Sequence, residues 1–177
     1  MDEFDKRQFE RLRLTKDIKL KPPVKLAALS NLEDVAKLSM PAQLVEILKV
    51  GDGQSRHDGP PLFCGEYLQS SKDIAGWINW HHEENQGEPS DCFDACPFVQ
   101  QGKRWQTDWI PITYGPELVF LYVDCNPSPL GTFGQVILSS INTGRCGVVA
   151  KDLNELVAFS LHRDDLVTKW PFLKESG

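Results

Sequence analysis

The chain has 177 residues, a formal net charge of −6, 41% hydrophobic and 25% charged side chains. That is the composition of an ordinary globular domain long enough to bury a real core, and no apolar run approaches a membrane span. The acidic balance disfavours non-specific nucleic-acid binding and favours a basic partner.

The N-terminus, Met1-Asp-Glu-Phe-Asp-Lys-Arg7, lacks the apolar core of a signal peptide, so a cytoplasmic location is expected. Five cysteines, an odd count, predict free thiols rather than a disulfide framework. Residues 1–25 hold eight Lys or Arg against five Asp or Glu. Phe4, Phe9, Leu12 and Leu14 make a poor helical stripe, and Pro22-Pro23 ends whatever forms. We read residues 1–25 as a partly ordered arm with at most one short helix, and residues 26–177 as the domain.

Ser30 or Asn31 can cap a helix over 31–39 with Leu32, Val35 and Leu38 as its apolar positions. Pro41 starts a second helix over 41–50, with Leu44, Val45, Ile47 and Leu48 facing inward and Gly51 as a left-handed stop. Ser70 or Ser71 caps a third over 71–84, in which Ile74, Trp77, Ile78 and His81 share one stripe. From Glu83 to Pro97 no period is visible, which predicts a long loop. Between Asp73 and Gly102 there is no Lys or Arg, while Asp73, Glu83, Glu84, Glu88, Asp91 and Asp94 are acidic. This is the most one-sided charge block of the chain.

Trp109-Ile-Pro-Ile112, Leu118–Val123 and Gln135–Leu138 are rich in β-branched and aromatic residues and bounded by turn formers, so they read as strands. Pro111 cannot donate to a ladder and belongs on an edge strand. Leu118–Val123 is apolar throughout and suits a central strand ending on Asp124. Asn142-Thr-Gly144 is a turn into a further strand, Gly147–Ala150. Asp152-Leu-Asn-Glu155 is a capping box opening a helix to about residue 162 with Leu153, Leu156, Val157 and Leu161 inward. Asp164–Leu173 gives a terminal turn or helix, with Trp170 and Phe172 packing back. The pattern is α+β: one domain, with a largely antiparallel or mixed sheet of five to six strands flanked by helices.

Trp109-Ile-Pro111-Ile, then a strand ending in Asp124, then Pro129-x-Gly131-x-x-Gly134-Gln135-Val-Ile137 resembles the SUKH superfamily. That family contains fungal cell-wall-assembly regulators and bacterial toxin-immunity proteins. Met40-Pro41 before a helix closing on Gly51-Asp52-Gly53, and Val149-Ala150 before the last helix, extend the resemblance to residues 30–162. Two features depart from the family pattern. Tyr114-Gly-Pro-Glu117 stands where a Gly-rich acidic turn is usual, and Gly-Asp-Gly replaces an Asn-Gly. The resemblance implies a non-enzymatic domain that binds another protein, with Trp109, Pro111, Asp124, Gly131, Gly134 and Gln135 as structural motif residues. It implies first an immunity protein that neutralises a toxin, a choice favoured by the lack of long flanking segments. The alternative within the family is a cell-wall-assembly regulator.

Cys92-x-x-x-Cys96 with His81 and His82 has looser spacing than a structural zinc site, and no second cysteine pair follows. We expect no metal and no cofactor. A small hydrolase around Asp124, Cys64 or His81-His82 would need a partner base or nucleophile, and none has a recognisable motif. Asp124 is expected to accept hydrogen bonds from loop N–H groups. Gly131-x-x-Gly134 is too short for a dinucleotide fingerprint, and Gly134 is expected at positive φ or at a close approach. For the partner surface, the acidic 73–94 region with Trp80, Glu83, Glu84, Asp91 and Asp94 is the expected contact. It suits a basic toxin, whereas nucleic acid and membrane are not expected as partners.

Overall fold

A computed structural model describes residues 3–55, 59–84, 96–100, 106–114, 119–140 and 145–162. In chain order its elements are α1 (Lys6–Thr15), α2 (Leu26–Ala36), α3 (Ala42–Val50), β1 (Tyr67–Leu68) and α4 (Ser71–Glu84). They continue with β2 (Trp109–Pro111), β3 (Thr113–Tyr114), β4 (Val119–Asp124), β5 (Gln135–Ser140), β6 (Arg145–Ala150) and α5 (Leu153–Ser160). This is an α+β domain. Among the described residues no helix is long and apolar enough to cross a membrane.

The apolar run of β4 lies centrally, in a four-stranded antiparallel sheet of order β2-β4-β5-β6. Phe120, Leu121, Tyr122 and Val123 are all buried, as a strand covered on both faces requires. Pro111 sits on the edge strand β2, where its missing N–H costs no ladder bond. The six strands form two sheets rather than one, because the ladder changes hands at Thr113. Ile112 N donates to the Leu121 carbonyl at 2.8 Å, but Leu121 N donates to the Thr113 hydroxyl at 2.9 Å instead of to a backbone carbonyl. Beyond that point β3 pairs with β1 as a separate two-stranded sheet.

The N-terminal segment packs its one short helix against the rest of the domain. α1 buries Phe9 and Leu12, with Phe4 beside them, while Leu14 is exposed. Asp5 caps α1 by accepting from Arg7 N and Gln8 N, both at 3.0 Å. Asn154 on α5 accepts from Asp5 N at 2.8 Å and donates to the Glu3 carbonyl at 2.9 Å. A short apolar stripe suffices because tertiary hydrogen bonds anchor the first turn.

Three boundaries are corrected. α2 begins at Leu26 rather than 31 and ends at Ala36, so Ser30 and Asn31 lie inside it rather than capping it. The good helix formers Leu26-Ala-Ala-Leu29 win over the capping preference of Ser30. Pro41 is the N-cap of α3, one position before its first turn. Gly51 is extended, with φ −168. A side chain there would collide with Leu20 and approach the Lys21 carbonyl oxygen, so close packing and not a left-handed turn requires glycine. Gly53, at φ 81, takes the left-handed position.

α4 and α5 follow the sequence reading closely. Ser70 Oγ accepts from Asp73 N at 3.2 Å, and Asp52 accepts from Ser71 N at 2.6 Å. Asp152 caps α5 through Glu155 N at 2.8 Å. The return bond of that box goes from Lys151 N to Glu155 Oε2 at 2.6 Å. The Asn142–Gly144 turn and the 164–173 segment with Trp170 and Phe172 lie outside the described residues.

Candidate functional site

β4 ends on Asp124, which is fully buried, and both of its carboxylate oxygens are engaged. Oδ1 accepts from Asn126 N at 3.0 Å. Oδ2 accepts from Gln135 Nε2 at 2.9 Å. Burial pushes the Asp124 carboxyl up; the bonds from Gln135, Asn126 N and Trp109 oppose it, and the Asp108 charge adds to the rise. Gln135, also buried, donates to the Phe98 carbonyl at 2.8 Å and accepts from Thr132 N at 3.1 Å. One amide thus ties the end of the sheet to two loops. Gly134, at φ 83, occupies a left-handed conformation that most side chains avoid. A side chain at Gly131 would strike the Phe98 carbonyl oxygen and Pro127. Trp109 is buried against Tyr122, with ring centroids 5.7 Å apart. The motif residues therefore clamp loops onto the sheet.

What the clamp holds in place is a surface. The loops at 96–100 and 126–134 wall a groove of about 710 Å³ that runs along β6 from Cys146 to Lys151, with Gly131, Thr132 and Gln135 in its lining. Phe98 and Leu130 line it while remaining 46% and 69% exposed, and Phe133 on the same loop is 47% exposed. Three of the five large apolar side chains exposed among the described residues thus lie on these two loops. Clustered apolar exposure of this kind marks contact surfaces. β6 is the outer strand of the described sheet. Sequence reasoning did not single out Phe98 or Leu130. The available signal was two large apolar residues, Leu130 and Phe133, inside an otherwise turn-rich loop.

The acidic helix α4 presents a second surface. Trp80 is half-buried, edge-on to Trp77 at 5.5 Å, and Trp77 in turn meets Phe120 at 5.0 Å. Glu83 and Glu84 are exposed in the last turn. The other predicted members, Asp91 and Asp94 with Glu88, lie outside the described residues. The block is less one-sided in space than in sequence. Lys21 reaches Asp73 at 3.6 Å, and Lys21 and Lys72 both line a groove of about 670 Å³ beside Trp77 and Trp80.

The residues considered for catalysis are engaged elsewhere. Cys64 is buried, with its thiol 3.2 Å from the Ser160 hydroxyl. His81 is buried and shares a hydrogen bond of 3.1 Å with the Tyr122 hydroxyl. Burial, with help from His82, pushes its pKa down to about 3, so it stays neutral at ordinary pH. His82 is half-buried. Burial, aided by Asp124 and Asp108, raises the Cys125 thiol to about 12, far from thiolate reactivity. Cys64, Cys96, Cys125 and Cys146 are not in disulfides, and no cluster of three potential metal ligands occurs among the described residues. Cys92 lies outside them.

No known family model matches this chain, and no curated protein matches it.

Proposed function

We propose that this chain is a SUKH-like, non-enzymatic protein-binding domain, and that its first function is that of an immunity protein neutralising a bacterial toxin. The observation that carries the binding reading is the apolar groove between the 96–100 and 126–134 loops, with Phe98 and Leu130 exposed in its walls. A folded domain gains nothing by holding large apolar side chains in water on loops that are themselves firmly clamped. A partner that covers them gains roughly 25 cal/mol per Å² of apolar surface removed from water. The resemblance of the clamp residues to the SUKH motif supplies the immunity assignment, with cell-wall-assembly regulation as the runner-up.

Quantitative affinity capture from the native extract tests this reading. Wild-type bait should retain a specific protein that Leu130→Asp bait loses. Bait carrying Glu83→Lys and Glu84→Lys should retain it if the apolar groove is the main contact. Loss on the charge swap alone, most marked at low salt, would move the contact to the acidic helix and a basic toxin. Turnover of a substrate by purified protein with no partner captured would replace binding by catalysis.

A further inference from the structure

α4 carries three residues whose placement works against the helix itself. Gly76 sits mid-helix and exposed, and a Cβ built there meets nothing within 4 Å. Glycine at such a position costs about 1 kcal/mol relative to alanine. Lys72 is exposed in the first turn and Glu83 in the last. Both charges oppose the helix macrodipole, which favours acids at the N-terminus and bases at the C-terminus. Neither Lys72 nor Glu83 has an ion-pair partner among the described residues. The fold explains none of the three.

A second copy of the same helix explains all of them. Lys72, Gly76, Asn79 and Glu83 follow an i, i+4, i+7, i+11 spacing and form one exposed stripe, with Trp80 along its flank. We propose that two copies of the chain pair through this stripe, α4 antiparallel to α4, about a twofold axis that crosses the helix between Gly76 and Trp80. The midpoint of Lys72 and Glu83 and the midpoint of Gly76 and Trp80 fall on the same helical turn. One axis therefore sets Lys72 of each copy opposite Glu83 of the other, roughly 8 Å to either side at ~1.5 Å rise per residue. The same axis sets each Trp80 over the Gly76 notch of the other copy, where the groove beside Trp77 is lined by Gln69 and Asp73 and has a volume of about 670 Å³. A patch carrying opposite charges at its two ends and a projection beside a notch is complementary to itself under a twofold, the commonest symmetry of soluble oligomers. Such a pair uses a face other than the Phe98–Leu130 groove, so it stands independently of the partner-binding reading.

Sedimentation velocity of the purified full chain over a concentration series tests the pairing. Wild type should move from monomer to dimer as concentration rises. Lys72→Glu and Glu83→Lys should each raise the dimer Kd about tenfold or more by setting like charges opposite one another. The double variant should return it to within about threefold of wild type. Each single change places a charge in agreement with the helix dipole, so unfolding does not confound the result, and thermal melts verify this. Gly76→Leu, which fills the notch, should abolish the dimer while leaving Tm equal or higher. A wild type that stays monomeric throughout overturns the proposal. So does a dimer indifferent to the single changes, or a loss that the double variant fails to restore.

Discussion

Gly131 and Gly134 in the β4–β5 loop and Gly76 on α4 are glycines for opposite reasons. A side chain at Gly131 meets the Phe98 carbonyl oxygen, and Gly134 holds φ 83, so the loop cannot be built without them. Around Gly76 there is open space. The same contrast runs through the neighbours. At the Asp124 end of the sheet Asp124 and Gln135 are buried and hydrogen-bonded to one another, whereas the α4 stripe is exposed and its Gly and terminal charges weaken the helix that carries them. Residues that look special in the sequence are thus consumed by the fold, and the proposed contacts fall to exposed side chains that the fold does not need.

Changes at the clamp should break the molecule, and the largest effect is expected at Asp124. Asp124→Ala leaves Gln135 Nε2 and Asn126 N without their buried acceptor, at about 1–3 kcal/mol for each unsatisfied group. Thermal melting should fall by roughly 4–24 °C, at ~2–4 °C per kcal/mol for a chain of this size. The pH dependence has a defined sign. Burial raises the folded-state pKa of Asp124 above its unfolded value, so this group favours folding at low pH and loses that contribution as pH rises through the raised value. The melting temperature of wild type relative to Asp124→Asn should therefore decline as pH rises from about 4, the ordinary Asp value. A difference that grows with pH would contradict the assignment.

Gly134→Val comes next, with an expected cost of about 1–3 kcal/mol from a β-branched residue forced into the left-handed region. Gly87, in the acidic stretch outside the described residues, is the control and should tolerate the same change better. Gly76→Ala should act in the opposite direction, stabilising the monomer by up to about 1 kcal/mol. Equal destabilisation at Gly134 and Gly76 would mean that the two glycines do not differ in what the fold requires of them. The smallest effect is expected from chelation: a chelator should leave Tm unchanged, and elemental analysis should find no stoichiometric zinc. About one zinc per chain, with Cys92 and Cys96 as ligands at tetrahedral distances, would reverse that reading.

Local signals were legible in the sequence. The uninterrupted apolar run of β4, Pro111 on the edge strand, the Asp152–Glu155 capping box and the α4 stripe follow from periodicity and turn chemistry, which act within a few residues. What could not be read depends on distant chain segments. α1 docks through Asn154, 149 residues from Asp5. The sheet divides because the Thr113 hydroxyl replaces a carbonyl. Gly51 is required by Leu20 crossing above it. Lys21 offsets Asp73 from far outside the acidic block. The Phe98–Leu130 groove depends on contacts that hold the 96–100 loop in place across the sequence, among them Gln135 to the Phe98 carbonyl, 37 residues away. The role of Asp124 was legible because its Asn126 bond is local, whereas the link from Gln135 to Phe98 was not.

At the Asp124 end of the sheet the fold and the proposed contact surface are separable, because the clamp residues Asp124 and Gln135 are buried while Phe98 and Leu130 stand exposed. This separation is tested most directly by replacing Phe98 and Leu130 together with Asp, then measuring Tm and partner retention on the same preparation. The melting temperature should stay within about 2 °C of wild type, because exposed positions rarely contribute more than ~0.5 kcal/mol, while partner binding falls at least tenfold. A fall in Tm of many degrees, or unchanged partner retention, would contradict it.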